Sequence, residues 1–135
     1  MREVAAAVII ENGRLFLARR QNGDALAGWW ELPGGKIEPG EVAPECLARE
    51  MLEEFEMTIA VGELIGSSEY AYPHGEFRLL AYHVSRLSDA YTTRVHDACG
   101  WFMPSEVPTL DIAPADIPLI DLLKTRSINA FRSAP

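Results

Sequence analysis

Residues 33–57 read PGGKIEPGEVAPECLAREMLEEFEM, and the fold follows from how this stretch is parsed. Pro33, Gly34 and Gly35 gather breakers at one point, so the backbone there is a loop with torsions closed to other residues. From Val42 to Glu56 the pattern changes. Ala43, Leu47, Met51 and Phe55, with Ala48 and Leu52 beside them, recur at helical spacing and predict a helix of about three to four turns. It carries Glu50, Glu53 and Glu54 at i, i+3 and i+4, which at about 100° per residue puts three carboxylates on one face. A solvated face is one account of them, supported by the i, i+4 pairs Glu45–Arg49 and Arg49–Glu53 at about 0.2 to 0.5 kcal/mol each. The Gly-rich loop ahead of the helix offers another, because its backbone can approach the same face and a hard cation would relieve the repulsion. Mg²⁺ or Mn²⁺ suits such a carboxylate set and bridges to substrate phosphates, which points to phosphoryl chemistry.

Outward from this stretch, Val4 to Ile10 and Leu15 to Arg20 flank Asn12-Gly13 and read as a hairpin. Gln21 to Gly28 is a polar loop. Ile59 to Tyr72 and Phe77 to Leu87 read as strands joined by Tyr72-Pro73-His74-Gly75, Ser88 to Cys99 as a surface loop, and Gly100 to Met103 as a short strand. Pro114 to Lys124 is a second helix, with Pro118 acceptable in its first turn, and 125–135 is a frayed tail. Without repeats or linkers, strands around one central and one terminal helix give an α/β sandwich.

The chain has 135 residues, 48% hydrophobic and 24% charged, the composition of a single domain spanning 1–135. Its net charge of -8 argues against a nucleic-acid polymer or an anionic membrane as partner. No apolar run approaches the roughly 20 residues that span a bilayer and no secretory pattern follows Met1, so a cytoplasmic location is expected. Cys46 and Cys99 lack metal spacing and read as reduced packing thiols.

Gly35, five residues, Glu41, seven residues, then Arg49-Glu50-Met51-Leu52-Glu53-Glu54-Phe55-Glu56-Met57 resembles the Nudix box, G-x5-E-x7-R-E-U-x-E-E-x-G-U, over residues 35–57. The flanks resemble the MutT-like branch: Leu17-Ala18-Arg19-Arg20, Trp30-Glu31-Leu32-Pro33-Gly34-Gly35-Lys36, and Ala113-Pro114-Ala115-Asp116-Ile117-Pro118-Leu119-Ile120. The resemblance covers roughly residues 3 to 124. It implies an α/β/α sandwich with a central mixed sheet and Mg²⁺-dependent hydrolysis of a nucleoside triphosphate to monophosphate and pyrophosphate. Glu50, Glu53 and Glu54, with the Gly34 carbonyl, would be metal ligands. Lys36 would contact the phosphates, and Arg49 would hold the loop and orient the glutamates.

Two positions depart from the pattern. Glu56 stands where the box has a glycine that ends the helix with φ > 0, so either the helix runs on or a strain of about 1 kcal/mol is carried. Val95 stands six residues ahead of Trp101, where MutT-like relatives often carry a glutamate as general base. Glu53 is then the preferred base and His96 a second candidate, against a reading of His96 and Asp97 as a solvated loop pair.

For the base, Trp29, Trp30 and Tyr72 are aromatics that either stack on it or belong to the core. The resemblance places Asp116 at the base edge, where the sequence alone suggests a helix N-cap, and Arg20 at the base end of the cleft. An ionised Asp116 only accepts hydrogen bonds, which favours the cytosine N4 amine and a CTP- or dCTP-type substrate, 5-modified forms included. 8-oxo-dGTP is the close rival if a dry pocket keeps Asp116 protonated. On the ionised reading, Asp116→Asn moves preference toward 8-oxo-dGTP. A catalytically weak nucleotide sensor and a hydrolase of ADP-ribose or nucleotide sugars are the alternatives. A monomer or weak homodimer is expected.

Overall fold

The computed structural model describes residues 1–21 and 26–125, so the expected tail beyond 125 lies outside the described residues. One sheet has strand order β5-β1-β7-β6, from β1 (Arg2–Val8), β5 (Gly34–Lys36), β6 (Ile59–Tyr72) and β7 (Gly75–Arg86). It is mixed, since β1 runs parallel to β7 and antiparallel to β5. The second sheet joins β2 (Ile10–Glu11), β3 (Arg14–Arg20) and β4 (Trp30–Glu31), with β8 (His96–Phe102) on the other side of β3.

Alternation along β1 sets the layers. Ala5 and Ala7, with Ile9 just beyond the strand, pack with Cys46, Leu47, Met51 and Phe55 of α1 (Ala43–Phe55). Ala6 and Val8 pack on the opposite side with Leu119, Ile120 and Leu123 of α2 (Ile117–Thr125). The result is the expected α/β/α sandwich, with each helix burying its apolar stripe on one face of the strands.

The α1 start is fixed by Glu45, whose carboxylate accepts from the Val42 N–H at 3.1 Å, with Pro44 in the first turn. Its end answers the question posed by Glu56. The helix stops at Phe55, and Glu56 takes the left-handed conformation at φ 53°, ψ 35°. The Glu56 N–H bonds the Leu52 carbonyl at 3.0 Å and the Met57 N–H bonds the Met51 carbonyl at 3.2 Å, the paired closure usually built on glycine. Strain is therefore carried rather than avoided.

Two strand expectations need correction. Asn12-Gly13 does turn the chain, but the hairpin is only Ile10-Glu11 against Arg14-Leu15, because β1 is taken by β7 in the other sheet. The expected surface loop is also shorter. His96 to Cys99 belong to β8, paired with Arg20 to Ala18 across a register shift at Arg19/Arg20. His96 is thereby buried, at 8% exposure, instead of solvated.

Candidate active site

The glutamate face of α1 lies against the Gly34–Lys36 strand. A Cβ on Gly35 would collide with the Glu50 side chain and one on Gly34 with the Ala5 carbonyl, so Gly35 lets the strand close on α1 and Gly34 lets it close on β1. Arg49 ties this junction. Its guanidinium donates to both Glu41 oxygens at 2.7 and 2.9 Å, to Glu50 Oε1 at 2.9 Å, to Glu53 Oε2 at 3.4 Å and to the Lys36 carbonyl at 3.3 Å. Hydrogen bonds from the Arg49 guanidinium, then from the Glu38 N–H, hold the Glu41 carboxyl down at about 2.

Glu54 is half-buried beneath this surface, with Oε1 the buried atom. Among the described residues its Oε1 has no hydrogen-bond partner, and burial first, then the Glu50 carboxyl beside it, pushes its affinity for a proton up to about 9. An orphaned carboxylate oxygen next to a second carboxylate is a donor set that a divalent cation would satisfy, so Glu50 and Glu54 fit a metal of the Mg²⁺ class. Glu53 is more exposed and turned toward Arg49. Among the described residues no three acidic, His or Cys side chains converge closely enough to form a complete shell.

Beside this face opens a cavity of about 210 Å³. Gly34, Gly35 and Lys36 line one part of it, while Arg20, Glu31 and Asp116 line another. Lys36 is exposed, with Nζ 5.9 Å from the Phe77 ring centre. Tyr72 also lines the cavity. Its hydroxyl accepts from the Ala115 N–H at 2.9 Å and its ring stacks on His74 at 5.2 Å. Trp30 does not line it. That ring packs edge-on against Phe102 at 5.0 Å with the Arg19 guanidinium over it, so it is a packing residue and Arg19 covers it.

Asp116 is 4% exposed and ends the short 3-10 turn Pro114–Asp116 just ahead of α2. Its Oδ2 accepts from the distant Leu32 N–H at 2.8 Å, which carries Asp116 to the cavity wall. Burial, then the nearby charge of Glu31, raises its affinity for a proton well above the ordinary aspartate range, so the neutral acid is favoured. This is the direction of the dry-pocket alternative that the sequence leaves open beside the ionised carboxylate.

Glu31 was quoted in the sequence motif without a role, and the structure makes it a hub. Its carboxylate accepts from Arg20 Nη1 at 3.2 Å and is bonded to His96 Nε2 at 2.8 Å. The available signal was period two: Trp30 and Leu32 face one way along the extended chain and the charge between them faces the other. His96 is engaged there, with its ring stacked on Phe55 at 5.3 Å and 14°. Asp97 instead pairs with Arg19 at 2.7 Å on the surface. Val95 is exposed and carries no titratable group. His74, in the turn between β6 and β7, lines the cavity.

Among the described residues no helix is long and apolar enough to cross a membrane. The NUDIX domain family matches residues 1–123. The chain is 37% identical over 121 residues to the CTP pyrophosphohydrolase of Escherichia coli K12, covering 90% of each chain. It is 36% identical over 116 residues to the putative 8-oxo-dGTP diphosphatase 2 of Mycobacterium tuberculosis, covering 84% of this chain and 81% of that one. The solution structure of the E. coli ORF135 protein matches with a TM-score of 0.83 at 36% identity, over 100% of this chain and 95% of that one. The expected box, sandwich and glutamate-bearing helix are thus those of a known group, and the chain belongs to the NUDIX family as a hydrolase of phosphoric anhydride bonds.

Proposed function

We propose that this chain is a Mg²⁺-dependent hydrolase of nucleoside triphosphates that releases monophosphate and pyrophosphate. The observation that carries this reading is the single cavity joining Arg20, Glu31 and Asp116 to Gly34–Lys36, beside the glutamate face of α1. Glu50 and Glu54, with Glu53 and the Gly34 carbonyl, would hold the Mg²⁺, which when bound supplies Lewis-acid polarisation of the phosphate. Lys36 neutralises phosphate charge where the overall charge of -8 opposes an anionic substrate. Arg49 keeps Glu41, Glu50 and Glu53 in one arrangement. Glu53 accepts the proton of the attacking water. It is the exposed member of the glutamate set, whereas His96 is buried and occupied by Glu31.

For the base, a neutral Asp116 beside a Glu31 carboxylate presents a donor next to an acceptor. Cytosine fits this pair, its N4 amine donating to Glu31 and its N3 accepting from Asp116. The name of the E. coli relative, CTP pyrophosphohydrolase, supports this reading. A second reading has its own observation. With Asp116 neutral, the O6 of 8-oxoguanine meets a donor rather than a carboxylate oxygen, so 8-oxo-dGTP remains a candidate, in line with the name of the M. tuberculosis relative.

Monophosphate and pyrophosphate release from CTP, dCTP, 5-methyl-dCTP, dGTP, 8-oxo-dGTP and ADP-ribose, with Mg²⁺ or EDTA, tests this on the wild type and Glu53→Gln. Metal-dependent turnover of a triphosphate, lost by more than about a hundredfold in Glu53→Gln, supports the reading. Nucleotide binding without turnover would establish a sensor, and preferential cleavage of ADP-ribose a different substrate class.

A further inference from the structure

We infer that His96 is a positioning residue for base selection, holding the Glu31 carboxylate against the base end of the cavity. The inference rests on the nucleotide-binding reading of that cavity. Glu31 is carried by β4, a strand of two residues paired with the end of β3 and bridged at Trp30 to Ile112 on the other side, which holds the backbone but leaves the side-chain torsions that aim the carboxylate to be set by its partners. Two side chains grip it from different directions. Arg20 reaches it at 3.2 and 3.4 Å from β3, and His96 at 2.8 Å from β8. Arg20 and His96 are themselves cross-strand partners at the register shift that ends the β3–β8 pairing. The irregularity thus sits where Glu31 must be held.

The imidazole is placed from its other side as well. It lies flat on Phe55, the fully buried last residue of α1 and the neighbour of Glu54, so the ring position is tied to the end of the glutamate helix. Arg20, Glu31 and Asp116 line the cavity and His96 does not, so His96 acts on the ligand through Glu31 alone. Without the bond at 2.8 Å, the longer contacts to Arg20 are what hold the Glu31 carboxylate among the described residues, and the acceptor beside Asp116 is displaced toward Arg20.

The test compares wild type, His96→Phe, which keeps a ring on Phe55 and removes the nitrogen, and His96→Gln, whose amide reaches a similar position. Steady-state kinetics are measured on dCTP, 8-oxo-dGTP and dTTP, with thermal unfolding in parallel. For His96→Phe the expected result is KM for the preferred base raised about tenfold, kcat within about twofold, and the kcat/KM ratios between bases flattened, with His96→Gln restoring most of the selectivity. Unchanged ratios in His96→Phe, an equal fall in kcat on every substrate, or a His96→Gln no better than His96→Phe would overturn the inference. A wild type that turns over none of these triphosphates refutes the functional reading instead. The ratios are then taken from dissociation constants for the same nucleotides, where equal ratios in wild type and His96→Phe overturn the positioning role.

Discussion

At single positions, the chemistry turns on atoms that are absent and protons that are present. Gly35 leaves space that the Glu50 carboxyl occupies, so Gly35→Ala should displace Glu50 and raise the Mg²⁺ concentration for half-maximal pyrophosphate release by about tenfold or more, while shifting the unfolding midpoint little. Burial favours the neutral form of Asp116, which already offers a donor and an acceptor. Asp116→Asn should therefore change the ratio of kcat/KM for dCTP and 8-oxo-dGTP by only a few-fold, whereas an ionised aspartate would give a large shift toward 8-oxo-dGTP. The glutamates were legible because their spacing on a helix is a local property. The state of Asp116 was not, since it depends on Leu32 and Glu31, which are distant in sequence. Glu31 went unassigned for the same reason: its partners Arg20 and His96 lie on two other strands.

Among the elements, α1 was read almost to the residue because its apolar period and its caps are written in contiguous sequence. The strands were harder. Asn12-Gly13 gave the turn correctly, but a turn does not reveal that β1 finds a parallel partner in β7, and the start of β8 at His96 depends on pairing with β3. The left-handed Glu56 is paired with Arg94 at 2.7 Å, both more than half exposed. Glu56→Gly should relieve about 1 kcal/mol of backbone strain and lose an exposed ion pair worth about 0 to 1 kcal/mol. The expected net change is within about 1 kcal/mol, whereas Glu56→Val, branched at Cβ, should destabilise by more than that. Urea unfolding of the two variants checks both statements.

For the whole molecule, the sum of titrations sets how stability follows pH. The folded state holds protons on Glu54, from its ordinary 4.5 up to about 9, and on Asp116 above its ordinary 3.8, where the unfolded chain has released them. Metal-free protein should therefore lose stability as pH rises from 4.5 to about 9, seen as a falling urea midpoint. Glu41, depressed to about 2, acts in the opposite sense, its contribution being lost as pH falls from 4.5 toward that value. The central sheet also has a history in time. Arg2 to Val8 pair with Phe77 to His83, so β1 and the glutamate helix leave the ribosome well before the strand that completes them. Such distant pairing is slow to form, and a strand kept waiting with an open edge invites association with other chains. Ala5, Ala6 and Ala7 at the centre of β1 are weak strand formers with little apolar surface, so a segment that must wait for a distant partner is built from residues that attract others least.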